Sequence, residues 1–221
     1  MKIDVARQVG AITRAVQNRM HDGKPARVVI ASRTYDTDVD DLWDALTSAE
    51  RIPRWFLPVS GELRLGGRYQ LQGNAGGTIT QCDPPRHVAM TWEFGGDVTW
   101  VDVKLTPTTD GKAHLELEHI AHVDDARWDQ FGPGAVGVGW DLTLTGLDWH
   151  LTTSGSVAPG EGLEWLLSDE GKQFVRVSSD DWRQASVASG TDAAAARDAA
   201  LRTTAAYTGA PDPTAASSTS A

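Results

Sequence analysis

The chain has 221 residues, with 30 Asp and Glu against 20 Lys and Arg, and a formal net charge of −10. This acidic balance argues against broad contact with nucleic acid, since phosphate binding needs surplus Lys and Arg. A single cysteine excludes a disulfide-rich secreted scaffold. No apolar run is long enough to predict a membrane span or a signal core, so we expect a cytoplasmic protein.

The chain opens with apolar residues at helical spacing: Val5, Val9, Ile12 and Val16. This stripe predicts an amphipathic helix over residues 3–20, within an N-terminal segment 1–24 that ends at turn-forming residues. The stripe must dock on another part of this chain or on a partner.

Residues 25–156 have the pattern of a single domain of strands and helices. A first strand is expected over 27–35, and two short helices follow and reach Trp55. Glycine and proline turns then separate several segments in which apolar and polar residues alternate, as in residues 113–121. Such alternation predicts an antiparallel sheet with one buried face, here of about six or seven strands.

A long helix is predicted over residues 135–153. One apolar stripe contains Trp140, Leu144, Leu147 and Leu151, and a second contains Val138, Leu142 and Trp149. A helix with two apolar sides is covered twice, so the second cover is the C-terminal extension or a partner subunit. Residues 157–208 predict that helical extension, and the composition of residues 209–221 predicts a disordered tail.

This order of elements resembles the helix-grip fold of the START (SRPBCC, birch-pollen-allergen-like) superfamily. Several motifs narrow the resemblance to the bacterial group named after the activator of the heat-shock-protein-90 ATPase: VDDLWDALT at 39–47, LGGRY at 65–69, DPPR at 83–86 and MTW at 90–92. The resemblance covers about residues 27–153. It implies an α+β fold in which a curved antiparallel sheet wraps a long helix, with a cavity between them.

Inward positions of the strands and of the long helix, together with the end that the two short helices close, predict an apolar pocket. The predicted ligand-binding residues are Trp55, Phe56, Met90, Trp92, Leu117, His119, Trp140, Leu144 and Leu147. The nine Trp residues of the chain favour a cavity, because rigid rings brace walls without filling corners. A filled core is the alternative.

His119 is the candidate catalytic residue, because it follows Leu115 and Leu117 on the apolar face of its strand. A buried imidazole there would serve as a polar anchor for a ligand or as a general acid or base. The alternative is a core histidine that is hydrogen-bonded to the backbone or to a Trp N–H group.

Two other motifs carry no site. His119 and His122 are three residues apart, so they point to opposite faces of a strand and predict no metal site. Residues 132–137 fit the pattern G-x-G-x-x-G, but they do not lie in a βαβ unit and therefore predict no nucleotide cofactor. We interpret them as a hinge before the long helix.

The leading functional hypothesis is binding of an apolar or amphipathic small molecule. The resemblance also implies two alternatives, since relatives in the superfamily bind lipids, hormones or polyketides and some cyclise or dehydrate them. One is a cyclase or dehydratase on a polyketide-like substrate, with His119 as its acid or base. The other is an interaction protein, either a homodimer or a chaperone-associated protein, although the chaperone-binding domain of the eukaryotic activator has no counterpart here.

Overall fold

A computed structural model of the chain describes residues 3–158, 160–212 and 214. Its strands are β1 Thr13–His21, β2 Lys24–Tyr35, β3 Val59–Gly61, β4 Arg68–Leu71, β5 Gly76–Asp83, β6 His87–Phe94, β7 Asp97–Pro107 and β8 Ala113–His122. Its helices are α1 Val5–Gly10, α2 Val39–Thr47, α3 Ile52–Trp55, α4 Asp125–Phe131, α5 Gly134–Thr153, α6 Glu161–Leu167, α7 Asp169–Ala188 and α8 Ala193–Thr208. Of the tail predicted over 209–221, residues 213 and 215–221 lie outside the described residues.

The described strands form one antiparallel sheet in the order β1-β2-β8-β7-β6-β5-β4-β3. This arrangement confirms the predicted α+β helix-grip fold, with eight strands where about six or seven were expected. The additional strand comes from the N-terminal segment.

The prediction of one N-terminal helix over residues 3–20 holds only for α1 and is wrong for the residues that follow it. From Thr13 the chain pairs with β2 as strand β1, through a tight hairpin in which His21 faces Lys24. The turn residues Asp22 and Gly23 both have positive φ, 48° and 75°, as a two-residue hairpin turn requires. Ile12 and Val16 are four residues apart, a spacing that fits one face of a strand as well as one face of a helix.

α5 lies along one face of the sheet and forms the core with it. Inward residues of β7 and β8, such as Val103 and Leu115, are in one buried cluster with Leu144 and Leu147 of α5. The first of the two predicted apolar stripes of the helix therefore faces the sheet.

The opposite side of α5 is covered by the C-terminal extension, as one of the two predicted alternatives has it. Trp182 of α7 is fully buried, and a Cβ atom on Gly137 of α5 would lie 2.3 Å from its ring. Leu142 packs on a second cluster that contains Val9 of α1 and Phe174 of α7. The apolar residues of α1 thus dock within their own chain.

Two buried ion pairs join α5 to the first two strands. Arg14 Nε of β1 donates to Asp141 Oδ2 at 2.9 Å, and Arg33 of β2 lies 2.8 Å from Asp148 Oδ1. Ser178 Oγ, at 2.5 Å, also donates to Asp141 Oδ2. Burial raises the pKa of Asp141 to about 6, against the opposing effect of Arg14.

None of the helices in the described residues is long and apolar enough to cross a membrane.

Candidate functional site

A cavity of about 140 Å³ lies between the sheet and α5. Eight of the nine predicted ligand-binding residues line it: Trp55, Phe56, Met90, Trp92, Leu117, Trp140, Leu144 and Leu147. The predicted pocket residues therefore meet around one space, and His119 is the exception. Whether that space holds a ligand remains a prediction.

Aromatic rings stand at two places in the wall of this cavity, which we call the first cavity. Trp55 and Phe56 stack with ring centroids 5.7 Å apart, next to the short helices. Trp92 and Trp140 meet at 5.1 Å, with their rings tilted by 59°. Rigid rings held in this way keep the sheet and the helix apart without filling the space between them.

The hydroxyl groups of this wall are hydrogen-bonded within the protein itself. The hydroxyls of Thr47 and Thr143 donate to the carbonyls of Trp43 and Gly139, each at 2.8 Å. Tyr69 donates its hydroxyl to the Thr91 carbonyl at 2.8 Å. The first cavity therefore presents an apolar surface, suited to a ligand group that makes no hydrogen bonds.

Several lining residues were not predicted. Val88, Val101, Val103 and Leu115 share the inward register of residues that were predicted, so the alternation alone could have found them. Others come from the α2–α3 region, from β3 to β5 and from the loop after β3: Leu46, Ile52, Val59, Leu63, Tyr69, Leu71, Ile79 and Cys82. The first of these segments are too short to show a period, and a register shift between Ile79 and Gln81 interrupts the alternation of β5.

His119 is buried on the inward face of β8, as predicted, but it does not line the first cavity. Its Nδ1 accepts a hydrogen bond from Trp140 Nε1 at 2.9 Å, and its Nε2 lies 3.0 Å from Thr99 Oγ1. Because the indole nitrogen can only donate, Nδ1 carries no proton, and the neutral ring donates from Nε2 to Thr99. Thr99 Oγ1 in turn donates to the Trp92 carbonyl at 3.2 Å.

Burial lowers the pKa of His119 to about 4, so the ring is neutral at physiological pH. Both ring nitrogens are engaged in hydrogen bonds within the protein. This is the arrangement of a core histidine bonded to a Trp N–H, which was the alternative interpretation of this residue. In this geometry His119 has no lone pair or proton available for a substrate.

The histidine pair and the glycine motif at residues 132–137 form neither a metal site nor a βαβ unit in the described residues. His122 is on the strand face opposite His119 and hydrogen-bonds from Nε2 to the His21 carbonyl at 3.2 Å. Among the described residues, no three His, Cys, Asp or Glu side chains gather as metal ligands. Gly132 ends α4 with a φ of 59°, and Gly134 begins α5, so the glycine motif joins two helices beside an antiparallel sheet.

Comparison with known families matches residues 36–152 to the family described as activator of Hsp90 ATPase homolog 1-like protein. Comparison with curated proteins gives no match. Among solved structures, the crystal structure of CalU16 from Micromonospora echinospora is 31% identical, covers 82% of this chain and 99% of its own, and has a TM-score of 0.64. The solution structure of CalU16 is 32% identical, covers 82% of this chain and 97% of its own, and has a TM-score of 0.66.

Protein MLL2253 from Mesorhizobium loti is more distant, with 22% identity, coverage of 57% of this chain and 97% of its own, and a TM-score of 0.51. That likeness shows the shared fold. The match to CalU16 is longer than the family region, so it includes part of the segments before residue 36 or after residue 152. On these matches, the chain belongs to the activator of Hsp90 ATPase homolog 1-like family and has its START-like helix-grip fold.

Proposed function

We propose that this protein binds a small apolar or amphipathic molecule in the first cavity. The observation that carries the proposal is the cavity itself, a space with apolar walls whose hydroxyl groups are hydrogen-bonded within the protein. An apolar ligand gains free energy there by leaving water, at roughly 25 cal/mol per Å² of buried surface, and displaces no hydrogen bond.

The size of the cavity limits the ligand. A dry apolar cavity of about 150 Å³ accepts a molecule the size of benzene, and the first cavity measures about 140 Å³. A single ring or a short branched aliphatic group therefore fits without movement of the walls.

Enzymatic activity is less well supported than binding. The proposed acid or base, His119, makes hydrogen bonds from both ring nitrogens, to Trp140 and Thr99. The hydroxyl groups of Thr47, Thr143 and Tyr69 are likewise engaged with backbone carbonyls. These contacts favour a ligand-binding protein over an enzyme.

An interaction protein is also less well supported. The argument for a partner was that two apolar stripes needed covers. Val5 and Val9 pack with Trp165 and Phe174, and Val138 of α5 is fully buried. These intrachain contacts remove the reason for a second subunit at those positions.

The test uses toluene as a ring-sized probe. Binding is measured by titration calorimetry and by the rise of the unfolding midpoint with toluene concentration, which ligand binding to the native state produces. Cys82→Phe places a ring in the first cavity, and we expect it to weaken toluene binding by about tenfold or more. Gln81→Phe adds the same bulk at an exposed neighbouring position and serves as the matched control.

Native mass spectrometry of the protein purified from its own host completes the test. We expect a defined small molecule that is released on denaturation. A wild-type protein that carries no such molecule and does not bind toluene would overturn the proposal.

A further inference from the structure

A second cavity, of about 320 Å³, lies beyond the first along the same two strands. On β7, Val101 lines the first cavity and Thr99, two residues earlier, lines the second. On β8, Leu117 lines the first cavity and His119 the second. Consecutive inward positions of both strands thus pass from one cavity to the other.

The long helix shows the same succession. Val136 in the first turn of α5 lines the second cavity, and Trp140, one turn later, lines the first. The two cavities therefore lie end to end: the first lies between the sheet and α5, and the second lies between the sheet, α4 and the first turn of α5, where Val98 is exposed.

A wall of three rings separates them, which we call the partition: Trp92, Trp140 and His119. Trp140 is 5.1 Å from Trp92 and 5.8 Å from His119 between ring centroids. Trp140 is fixed by the hydrogen bond from its Nε1 to His119. Trp92 is half-buried, and its Nε1 has no hydrogen-bond acceptor among the described residues, so no hydrogen bond from its own ring holds Trp92 in place.

The second cavity differs from the first in its chemistry. Its wall carries charges of both signs: Arg27, Arg127, Asp97 and Asp124. Arg127 pairs with Asp97 at 2.9 Å. The Arg27 guanidinium lies over the Trp128 ring, 4.7 Å from its centroid, and its charge is opposed by Asp125 at 2.7 Å.

The mixed charge of this wall favours an uncharged polar group. A carboxylate or an ammonium there meets like charges as well as opposite ones. The guanidinium groups are already paired, Arg127 with Asp97 and Arg27 with Asp125, so a charged group gains little attraction to offset its loss of hydration. A hydroxyl or carbonyl group meets no such repulsion and can use the donors and acceptors of the same side chains.

We propose that the two cavities are a single ligand site for an elongated molecule with a ring-sized apolar end and an uncharged hydroxyl or carbonyl end. The apolar end occupies the first cavity, the polar end occupies the second, and Trp92 moves aside to let the connecting chain pass. The inference rests on the proposed function and adds to it the shape and polarity of the ligand. Together the two cavities reach the lower part of the volume range of ordinary ligand pockets, about 300–1,000 Å³.

The test compares toluene with four molecules built on one scaffold: 4-phenyl-1-butanol, butylbenzene, 4-phenylbutanoate and 4-phenylbutylammonium. Affinities are measured by titration calorimetry at one pH and salt concentration. We expect 4-phenyl-1-butanol to bind about tenfold more tightly than either charged analogue.

A filling substitution separates the second cavity from the first. Val136→Phe places a ring in the second cavity, and we expect it to weaken binding of 4-phenyl-1-butanol by about tenfold while toluene affinity changes less than about twofold. Val177→Phe makes the same change on an exposed part of α7, and we expect it to leave both affinities unchanged. Thermal unfolding of both variants verifies that they fold.

Two results would overturn the inference and leave the proposed function intact, provided that toluene binds. The first is equal binding of 4-phenyl-1-butanol by the wild type and Val136→Phe. The second is tighter binding of a charged analogue than of the alcohol. If neither toluene nor any of the four molecules binds the wild type, the proposed function and this inference fail together.

Discussion

The two long sides of α5 are built from different chemistry, although both belong to one helix of 20 residues. The side toward the sheet carries Trp140, Leu144 and Leu147, which border empty space. The opposite side carries Asp141, whose carboxylate receives hydrogen bonds from Arg14 and from α7. The sheet side of α5 therefore borders a cavity, whereas the side that faces α7 is closely packed and is held by buried charged groups.

This difference separates the part of the molecule suited to binding from the part suited to holding it together. A buried ion pair tolerates little displacement, because each charge that loses its partner stays in a low dielectric. An apolar wall tolerates displacement better, since it makes no directional bonds. We therefore expect substitutions on the α7 side to affect stability most, and those on the sheet side to affect binding most.

The largest effect is expected at the Arg14–Asp141 pair. Asp141→Leu leaves Arg14, Ser178 and Trp182 without their shared acceptor, and it should lower the free energy of unfolding by about 3–5 kcal/mol. Urea unfolding at pH 7 measures the change. Asp180→Asn, at an exposed pair on α7, is the control and should cost less than about 1 kcal/mol.

A double variant sharpens this prediction. Arg14→Met combined with Asp141→Leu removes both charges, so it should be less destabilised than Asp141→Leu alone. Equal losses in Asp141→Leu and Asp180→Asn would show that the buried pair does not fix α5 to β1.

The next effect is a dependence of the free energy of unfolding on pH, which has opposite signs for His119 on the sheet side of α5 and Asp141 on the α7 side. The pKa of His119 falls from 6.5 to about 4 on folding, so the unfolded chain takes up the proton first as the pH is lowered. Its contribution to stability is complete above pH 6.5 and declines by about 3 kcal/mol as the pH falls to 4. His119→Gln should abolish this decline.

Asp141 acts in the reverse direction. Its pKa rises from 3.8 to about 6 on folding, so the folded protein binds the proton first. Its contribution is complete below pH 3.8 and is lost as the pH rises through 6. Urea unfolding of the wild type, His119→Gln and Asp141→Asn between pH 4 and 8 should give difference curves of opposite slope, and parallel curves would contradict the assignment.

A smaller effect is expected where α5 approaches α7. A Cβ on Gly137 would lie 2.3 Å from the Trp182 ring, so Gly137→Ala should destabilise the protein by about 2 kcal/mol through overpacking. Gly139→Ala is the matched control on the same helix, with Tyr207 Oη as nearest atom at 3.2 Å. There the better helix propensity of Ala, about 1 kcal/mol, offsets the closer contact. Equal unfolding midpoints in urea for the two variants would contradict the close packing.

The smallest effect is expected beside the partition, at the hydrogen bond between His119 and Thr99. Thr99→Val keeps the shape of the side chain but leaves the His119 Nε2–H group without an acceptor. The expected loss is about 1 kcal/mol, measured by urea unfolding. Thr106→Val, at an exposed position of the same strand, should change stability by less than about 0.5 kcal/mol. A loss at Thr106 as large as that at Thr99 would remove the structural role of the His119 hydrogen bonds.

The sequence predicted the sheet side of the molecule better than the other side. Alternation along β6 to β8 identifies Met90, Trp92 and Leu117 as inward residues, because the period of two is a local property of a strand. The helical period places Trp140 and Leu144 on one stripe of α5 for the same reason. These local rules account for six of the eight predicted residues around the first cavity, and Trp55 and Phe56 were predicted from their place at the end of the two short helices.

Interactions between distant segments were not predictable in this way. Arg14 lies 127 residues before Asp141, and within a predicted amphipathic helix it fits a solvated face. The apolar spacing from Val5 to Val16 fits a helix, and only the pairing of Thr13–His21 with β2 makes that segment a strand. His119 faces inward as predicted, but its position between two cavities depends on where Trp140 crosses it.

The amino-acid sequence by itself determined which side of β6, β7, β8 and α5 is apolar, and with it part of the cavity wall, and its motifs indicated the helix-grip fold by resemblance. Only the tertiary structure decided that the wall borders empty space, that three rings separate this space from a second cavity, and that buried charges hold the other side of α5. The physical reason is that periodicity fixes the direction of a side chain relative to its own backbone. Volumes and hydrogen-bond partners are instead set by the distance between elements that meet only after folding.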